Sequence, residues 1–384
     1  MNVVTNKFFR LLVLTLLSLT FNLTFNFHVH ANDQCENGVS LTHAFDSGAA
    51  WSACAVLDEL HGLELRQLRY RAPGDIERSV IDKLHTAQIL MHYHNANEAV
   101  AQIGIPIQGD EGMGGASALK YDERSCSGDI LSIQSYEAVL CTTEVETGIL
   151  AKFATRDALH GSRWQIEAAA QRGTLVWSSA ISLHEHGVIT PEINLSGIGS
   201  VFDANNNLVP ATIVSSWRTV FALDAEAGDQ AEEFDFVLRN DLGNRRPMQV
   251  ATLTTETLRK VDRKAFRGWR VRDSESGRGY YLDPANSGYA YTSRTLNWPQ
   301  FDVAFTRSKD CEQHALHNDQ ICGRSLDNFI NGESIGDSVT LWHQQSRVWQ
   351  PRQEDSPVIS SISLNFDLLP FEWTAQSPFN VGQP

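Results

Sequence analysis

The sequence contains few basic residues and no run of them. Lysine and arginine total 31, against 46 aspartates and glutamates, which gives a formal net charge of −15 at pH 7 across 384 residues. A protein that binds nucleic acid needs a basic surface, because it must displace counterions from the phosphates. We therefore expect no nucleic-acid partner, whereas the acidic charge would favour cationic ligands, including amines.

Long hydrophobic runs are also missing. The apolar stretch at residues 11–19 follows Lys7 and Arg10 and is soon interrupted by two asparagines. A membrane span needs about 20 apolar residues, whereas a basic start, a short apolar stretch and small residues before a cut are typical of a secretory signal peptide. We predict a signal peptide at residues 1–31 and a secreted or periplasmic protein with no membrane contact after cleavage. An uncleaved membrane anchor is the alternative.

The chain lacks a low-complexity linker and any repeat with a period of about 20 to 50 residues. Hydrophobic residues make up 42% and charged residues 20%, and 18 phenylalanines and 9 tryptophans supply material for a core. This composition is that of a globular protein rather than a disordered one. We predict one domain at residues 32–384.

All six cysteines lie after the predicted cleavage site. An even number of cysteines in an oxidising compartment favours disulfides over free thiols. The spacing suggests pairing in sequence order among Cys35, Cys54, Cys126, Cys141, Cys311 and Cys322. For the last pair, a zinc site formed with His314 and His317 is an alternative, because two cysteines and two histidines are a common zinc ligand set.

Strand signals prevail over helix signals. Short β-rich or alternating runs recur at residues 63–70, 174–183, 188–195, 212–223, 234–238 and 361–368. Polar turn sequences such as His186-Gly187 separate several of them. Helical spacing of apolar residues is found at 79–85 and 255–266, for which we predict helices. The sequence therefore predicts a mainly β protein with a large antiparallel β-sandwich.

Common catalytic motifs are missing. The glycine-rich segment 109–115 lacks the Gly-Lys-Ser/Thr ending of a phosphate loop, and neither Gly-x-Ser-x-Gly nor His-Glu-x-x-His occurs. Two His-x-His pairs are present, His92 with His94 and His184 with His186. On a strand, such a pair projects to one face and can chelate a metal. Because no third ligand is near in sequence, we interpret both pairs as polar strand or turn residues, with a metal site as the weaker alternative.

From Gly62 onward, the order of several short segments resembles the catalytic domain of the copper amine oxidases. The similar segments are 62–65 with 69–70, 88–93, 109–114, 126–128 with 140–141 and 146–150, 195–198, 257–265 with 269–271, and 353–358. Each segment alone is a weak match, but their shared order is specific. The resemblance implies an antiparallel β-sandwich of that type, a disulfide hairpin between Cys126 and Cys141, and a homodimer. It also implies oxidation of primary amines by copper and by a topaquinone made from a tyrosine.

The positions that match the family's cofactor residues carry other side chains. Leu175 stands where the quinone tyrosine is expected, and no Asn-Tyr pair occurs in the chain. The two copper histidines of the family's His-x-His match Ser215 and Trp217, and the third matches Trp349. We therefore expect no copper and no topaquinone, and we interpret the bulky side chains as filling the site.

The residue that acts as general base in the family is also replaced. Abstraction of a substrate proton needs a carboxylate within hydrogen-bond reach, but the matching position is Ile107, and only Tyr93 of the family's site is retained. The prediction is a secreted amine-oxidase-like protein without oxidase activity that acts as a binding or structural module. The alternatives are an active primary-amine oxidase with relocated copper and quinone residues, and a metal-binding protein without redox chemistry.

Overall fold

Two antiparallel β-sheets account for most of the described residues. The computed structural model describes residues 35–93, 102–105, 112–151, 158–198, 208–223, 228–235, 249–262, 264–283, 301–315, 325–336 and 338–374. From Asn37 onward these residues belong to one compact unit. None of their helices is long and apolar enough to cross a membrane.

The strands are numbered along the chain. They are β1 (Val39–Ala44), β2 (Ala50–Asp58), β3 (Gly62–Arg71), β4 (Arg78–Tyr93), β5 (Gln102–Ile105), β6 (Asp129–Ile133), β7 (Tyr136–Ala151), β8 (Leu159–Arg172), β9 (Leu175–His184), β10 (Ile189–Ile198), β11 (Ala211–Phe221), β12 (Asp229–Asp235), β13 (Gln249–Leu253), β14 (Thr257–Arg259), β15 (Gly268–Asp273), β16 (Gly279–Asp283), β17 (Val303–Arg307), β18 (Val339–Trp349), β19 (Val358–Asn365) and β20 (Asp367–Phe371). Helical structure in the described residues comprises α1 (Leu326–Phe329) and 3₁₀ turns at Gly115–Ser117 and Gln353–Asp355.

The first sheet has the strand order β1-β2-β3-β4-β11-β18-β17-β14, with β5 paired to β4. The second sheet has the order β13-β12-β15-β16-β20-β10-β9-β8-β7-β6, with β19 paired to β10. The pairings are antiparallel in both sheets. The predicted mainly β, antiparallel architecture is confirmed.

The main hydrophobic core draws side chains from both sheets. Hydrogen bonds also join the sheets: Trp51 donates through Nε1 to the carbonyl of His184 at 2.9 Å, and Tyr70 donates through its hydroxyl to the carbonyl of Glu185 at 3.0 Å. The central strand β11 is rich in β-branched residues, which suit a pleated strand, and every residue of it is buried. Because side chains alternate along a strand, β11 presents one face to the second sheet and the other to the opposite, outer side of the first sheet.

A smaller apolar cluster covers the outer face of the first sheet, which is the face turned away from the second sheet. Its members are Ala87, Phe301, Ala304, Leu326, Phe329 and Trp342. The indole of Trp342 lies 6.0 Å from the ring of Phe329 in α1, measured between centroids, and donates through Nε1 to Thr306 at 3.0 Å. The first sheet is therefore buried on both faces at its centre.

The strand predictions at 63–70, 174–183, 188–195 and 212–223 are confirmed. The run 361–368 is divided, because β19 ends at Asn365 and β20 begins at Asp367. The run 234–238 is described only to Asp235, where β12 ends.

The prediction of a helix at 79–85 is wrong, since these residues belong to β4. Register shifts interrupt both pairings of this part of β4: one next to Leu68 of β3, and one next to Val220 of β11. A β-bulge breaks the alternation of period two. Val80, Ile81 and Leu84 are all buried as a result, which imitates the spacing of a helix.

The prediction of a helix at 255–266 is also wrong. The segment contains the short strand β14 and then a turn, in which the Asp262 carboxylate accepts hydrogen bonds from the backbone N–H groups of Lys264 and Ala265 at 3.0 and 3.1 Å. An aspartate that binds its own downstream backbone favours a turn over a helix interior.

Cys126 and Cys141 form a disulfide, with Cα atoms 5.8 Å apart, that staples the β6–β7 hairpin. Cys35, Cys54 and Cys311 are disulfide-bonded as well, while Cys322 lies outside the described residues. The alternative of a zinc site at Cys311 is wrong, because a sulfur in a disulfide is not available as a thiolate ligand.

Candidate functional site

The two positions that match the family's His-x-His lie on β11 at the interface between the sheets. Trp217 pairs with Thr86 of β4, whose hydroxyl lies 3.3 Å from that of Ser179 in the second sheet. Trp217 is therefore on the inner face of the first sheet. Ser215, two residues earlier, shares that face, and both side chains are fully buried.

Leu175 and Trp349 belong to the same hydrophobic core as Trp217. Leu175 begins β9 in the second sheet, and Trp349 ends β18, where it pairs with Ala211 of β11. Both are less than a tenth exposed. One large apolar core thus contains three of the positions at which the resemblance expects a quinone or a copper ligand. The structure does not bring all of them together, because Trp349 lies six residues along β18 from His343, the residue opposite Trp217, which is a distance of about 20 Å.

Polar atoms are nevertheless buried at this interface. The hydroxyl of Ser215 and Nε1 of Trp217 have no hydrogen-bond partner among the described residues. Opposite Trp217 on β18 lies His343, whose Nδ1 is 3.1 Å from the carbonyl of Asp302 and whose ring is 4.6 Å from that of Phe366. Burial lowers the pKa of His343 to about 4, so the ring is neutral at pH 7.

His343 was missed in the sequence, because a single histidine within an apolar strand has no distinguishing signal. Two other matched positions lie at the limits of the described residues. Ile107 lies outside the described residues, and Tyr93 is described only as the last backbone position of β4, opposite Ala211.

The His184 and His186 pair is at the β9–β10 hairpin rather than along a strand. Their rings are edge-on, with centroids 5.4 Å apart. Nε2 of His184 lies 3.1 Å from the hydroxyl of Thr190, which donates to Asp367 at 2.5 Å. Burial, with the neighbouring His186, lowers the pKa of His184 to about 3. No third metal ligand joins this pair among the described residues. In the other pair, His92 is described only as a backbone position of β4, and His94 lies outside the described residues.

A different group of buried polar side chains lies on the outer face of the first sheet. One ring nitrogen each of His61 and His85 and a carboxylate oxygen of Glu64 all lie within 4.8 Å of one another. We call these three residues the His61 cluster. Glu64 and His85 pair directly between β3 and β4, and His61 immediately precedes β3. All three are buried.

Hydrogen bonds organise this cluster. Nε2 of His61 donates a hydrogen bond to Oε2 of Glu64 at 3.0 Å. Nδ1 of His61 lies 3.2 Å from Oδ1 of Asp58 without hydrogen-bond geometry. Glu64 also pairs with Arg66 through its other oxygen. Although burial raises the pKa of Glu64, the hydrogen bond with His61 and the nearby positive charges outweigh it and lower that pKa far below its usual range. Burial also lowers the pKa of His85.

No protein-family model matches the sequence. Among solved structures, a copper-containing benzylamine oxidase from Hansenula polymorpha is similar over 85% of this chain and 59% of its own, with a TM-score of 0.68 and 16% identity. An amine oxidase from Aspergillus nidulans is similar over 86% of this chain and 52% of its own, with a TM-score of 0.69 and 18% identity. A lysyl oxidase from Pichia pastoris is similar over 86% of this chain and 52% of its own, with a TM-score of 0.66 and 11% identity.

The chain has the fold of the copper amine oxidases. The fold implied by the sequence resemblance is therefore confirmed. At identities this low, a structural similarity shows the fold alone. The chain spans between 52% and 59% of the length of these three amine oxidases.

The residues at the matched positions do not fit the cofactors of that fold. Copper is held by imidazole nitrogens or other strong donors, whereas Ser215 offers a hydroxyl and Trp217 and Trp349 offer indoles. Leu175 has no ring from which a quinone can form. We therefore derive no catalytic step through copper or a quinone.

Proposed function

We propose that this protein is a binding or structural module built on the amine oxidase fold, without amine oxidase activity. The observation that carries the proposal is the set of side chains at the matched cofactor positions. Leu175, Trp217 and Trp349 are buried in one apolar core, and none is a copper ligand or a quinone precursor. The replacement of the base by Ile107 supports the same proposal, since it removes the carboxylate for proton abstraction.

We propose a secreted or periplasmic location after removal of residues 1–31. The disulfide between Cys126 and Cys141 supports it, because such bonds persist in oxidising compartments. A homodimer is proposed from the resemblance to the family. The net charge of −15 supports a cationic ligand, such as an amine, through long-range attraction.

The test uses the mature protein, purified and then incubated with copper under air. Bound copper is measured by elemental analysis, the quinone by redox-cycling stain and visible absorbance, and activity by peroxide release from benzylamine and other primary amines. An active copper amine oxidase treated in parallel is the positive control.

We expect no quinone band and no peroxide above the level of a heat-denatured sample. A quinone band together with amine-dependent peroxide would overturn the proposal and make the chain an oxidase with relocated residues. Stoichiometric metal without either signal would leave the absence of oxidase activity intact and add metal binding, for which the His61 cluster is the candidate.

A further inference from the structure

We propose that His61, Glu64 and His85 bind a divalent transition-metal ion of the Zn²⁺ type. Two imidazoles and one carboxylate are a ligand set that zinc uses in proteins. In this cluster the three donor atoms lie within 4.8 Å of one another. The inference does not depend on the proposed function.

Oxygen atoms lie beside Nδ1 of both histidines, on the side of the ring opposite Nε2. A metal-binding histidine usually donates its second ring N–H to a carboxylate or a backbone carbonyl, which fixes the tautomer. Nδ1 of His85 lies 3.2 Å from the carbonyl of Thr86, within hydrogen-bond distance, and Nδ1 of His61 lies 3.2 Å from Oδ1 of Asp58, close to a carboxylate but without hydrogen-bond geometry. Nε2 of His61 now donates to Glu64, so a metal would take the place of that proton, and Nδ1 would then carry the ring proton toward Asp58.

Hydrogen bonds among the described residues leave this arrangement incompletely satisfied. Nε2 of His85, a fully buried side chain, has no hydrogen-bond partner among the described residues. His61 lies between two carboxylates, Asp58 and Glu64, at 3.2 and 3.0 Å. An ion between Nε2 of His61 and Glu64 would let Nδ1 of His61 donate to Asp58 and would give Nε2 of His85 a partner.

The distances require only a small adjustment. Two ligand atoms at about 2.0–2.1 Å from a tetrahedral zinc are about 3.3 Å apart. Nε2 of His61 and Oε2 of Glu64 are now 3.0 Å apart, so they must separate by a few tenths of an ångström. The rings of His61 and His85 stack with centroids 4.0 Å apart and planes 28° apart. Because the lone pair of a ring nitrogen lies in the ring plane, the rings must tilt toward each other for both Nε2 atoms to point at one ion.

The cluster is separate from the positions that match the copper site. His85 pairs with Arg218 on β11, which in turn pairs with Trp342 on β18, so these side chains form a row on the outer face. Thr86, the neighbour of His85, contacts the second sheet instead. The backbone carbonyl of Lys309 accepts a hydrogen bond from Nη2 of Arg218 at 3.2 Å. A metal here would tie the β2–β3 hairpin to β4, and its role would be structural.

Two arginines and a third histidine adjoin the site, and the arginine charges would weaken the binding of a cation. Arg66 pairs with one oxygen of Glu64, which leaves the other oxygen for the metal. The guanidinium of Arg218 also lies over the ring of Trp342, 5.6 Å from its centroid. The ring of His314 is 5.7 Å from that of His61.

The experiment removes bound metal from the full mature protein with a chelator and then titrates it with Zn²⁺ and, separately, with Co²⁺. Zinc stoichiometry, the visible absorption of bound cobalt and the melting temperature are measured. The variants are H85Q and E64Q, which remove a ligand, and D58N, which removes the partner of His61. H343Q is the matched control, because His343 is also a fully buried histidine. Far-UV circular dichroism checks that each variant is folded.

We expect the wild type and H343Q to bind one equivalent of zinc and to melt at a higher temperature with it. D58N should bind about 10- to 100-fold more weakly, the range typical for partners of metal ligands, and H85Q and E64Q more weakly still. A folded wild type that takes up neither ion overturns the proposal. Unchanged zinc binding in both folded ligand variants overturns it as well, because the ion would then be elsewhere.

Discussion

The stability of Trp217 variants tests whether side chains fill the interface between the two sheets. The indole is fully buried within the main core, and truncation of a buried tryptophan to alanine costs about 3–5 kcal/mol through lost contacts and a residual cavity. We expect W217A to reduce the free energy of unfolding by about 4 kcal/mol. W217F keeps most of the ring volume and removes an N–H group that has no hydrogen-bond partner among the described residues. Because a buried unsatisfied donor is itself costly, we expect W217F to cost only about 1 kcal/mol.

The assay is urea unfolding with intact disulfides, followed by far-UV circular dichroism, since the substitutions alter tryptophan fluorescence. Reversibility is checked by refolding, and equal m-values show that the unfolded states are comparable. If W217A were within about 1 kcal/mol of the wild type, the indole would not be packed. The interface would then be an open cavity, and the interpretation of a filled cofactor site would be refuted.

Two further predictions concern pH and a backbone turn. The pKa of His343 is about 4 in the folded protein against 6.5 for an exposed ring, so the unfolded chain binds more protons between these values. The contribution of His343 to the free energy of unfolding, about 3 kcal/mol, is present above pH 6.5 and is lost as the pH falls through 4. H343Q should therefore make the free energy of unfolding less dependent on pH in this range. An unchanged pH dependence would contradict the lowered pKa of His343. Gly62 and Gly48 both have positive φ angles, 76° and 87°, but an added Cβ at Gly62 would lie 2.8 Å from Cβ of Met113, whereas nothing lies within 4 Å at Gly48. Each alanine substitution should cost about 1–2 kcal/mol from the backbone, and in urea unfolding G62A should cost more than G48A; equal losses would mean that Met113 moves aside.

Much of the fold could be predicted because its strands carry local signals. The β-rich run at 212–223 identifies the central strand β11, and the ordered segments from Gly62 onward identify the architecture. The helix prediction at 79–85 failed because β-bulges in β4 alter the spacing of buried residues. Bulges depend on how neighbouring strands pair, and that pairing is not encoded in one segment.

Of the two candidate sites, one could be predicted from the sequence and the other could not. Leu175, Ser215, Trp217 and Trp349 could be identified by alignment of short segments, since each position is defined by residues adjacent to it in the chain. The His61 cluster could not, because Glu64 and His85 meet only through the pairing of β3 with β4. The sequence by itself determined the strand content, the acidic charge and the side chains at the positions matched to the family, all of which follow from residue type and local order. Only the tertiary structure decided that Trp217 faces the second sheet while His85 and Arg218 face outward, because strand register sets the face on which each side chain lies.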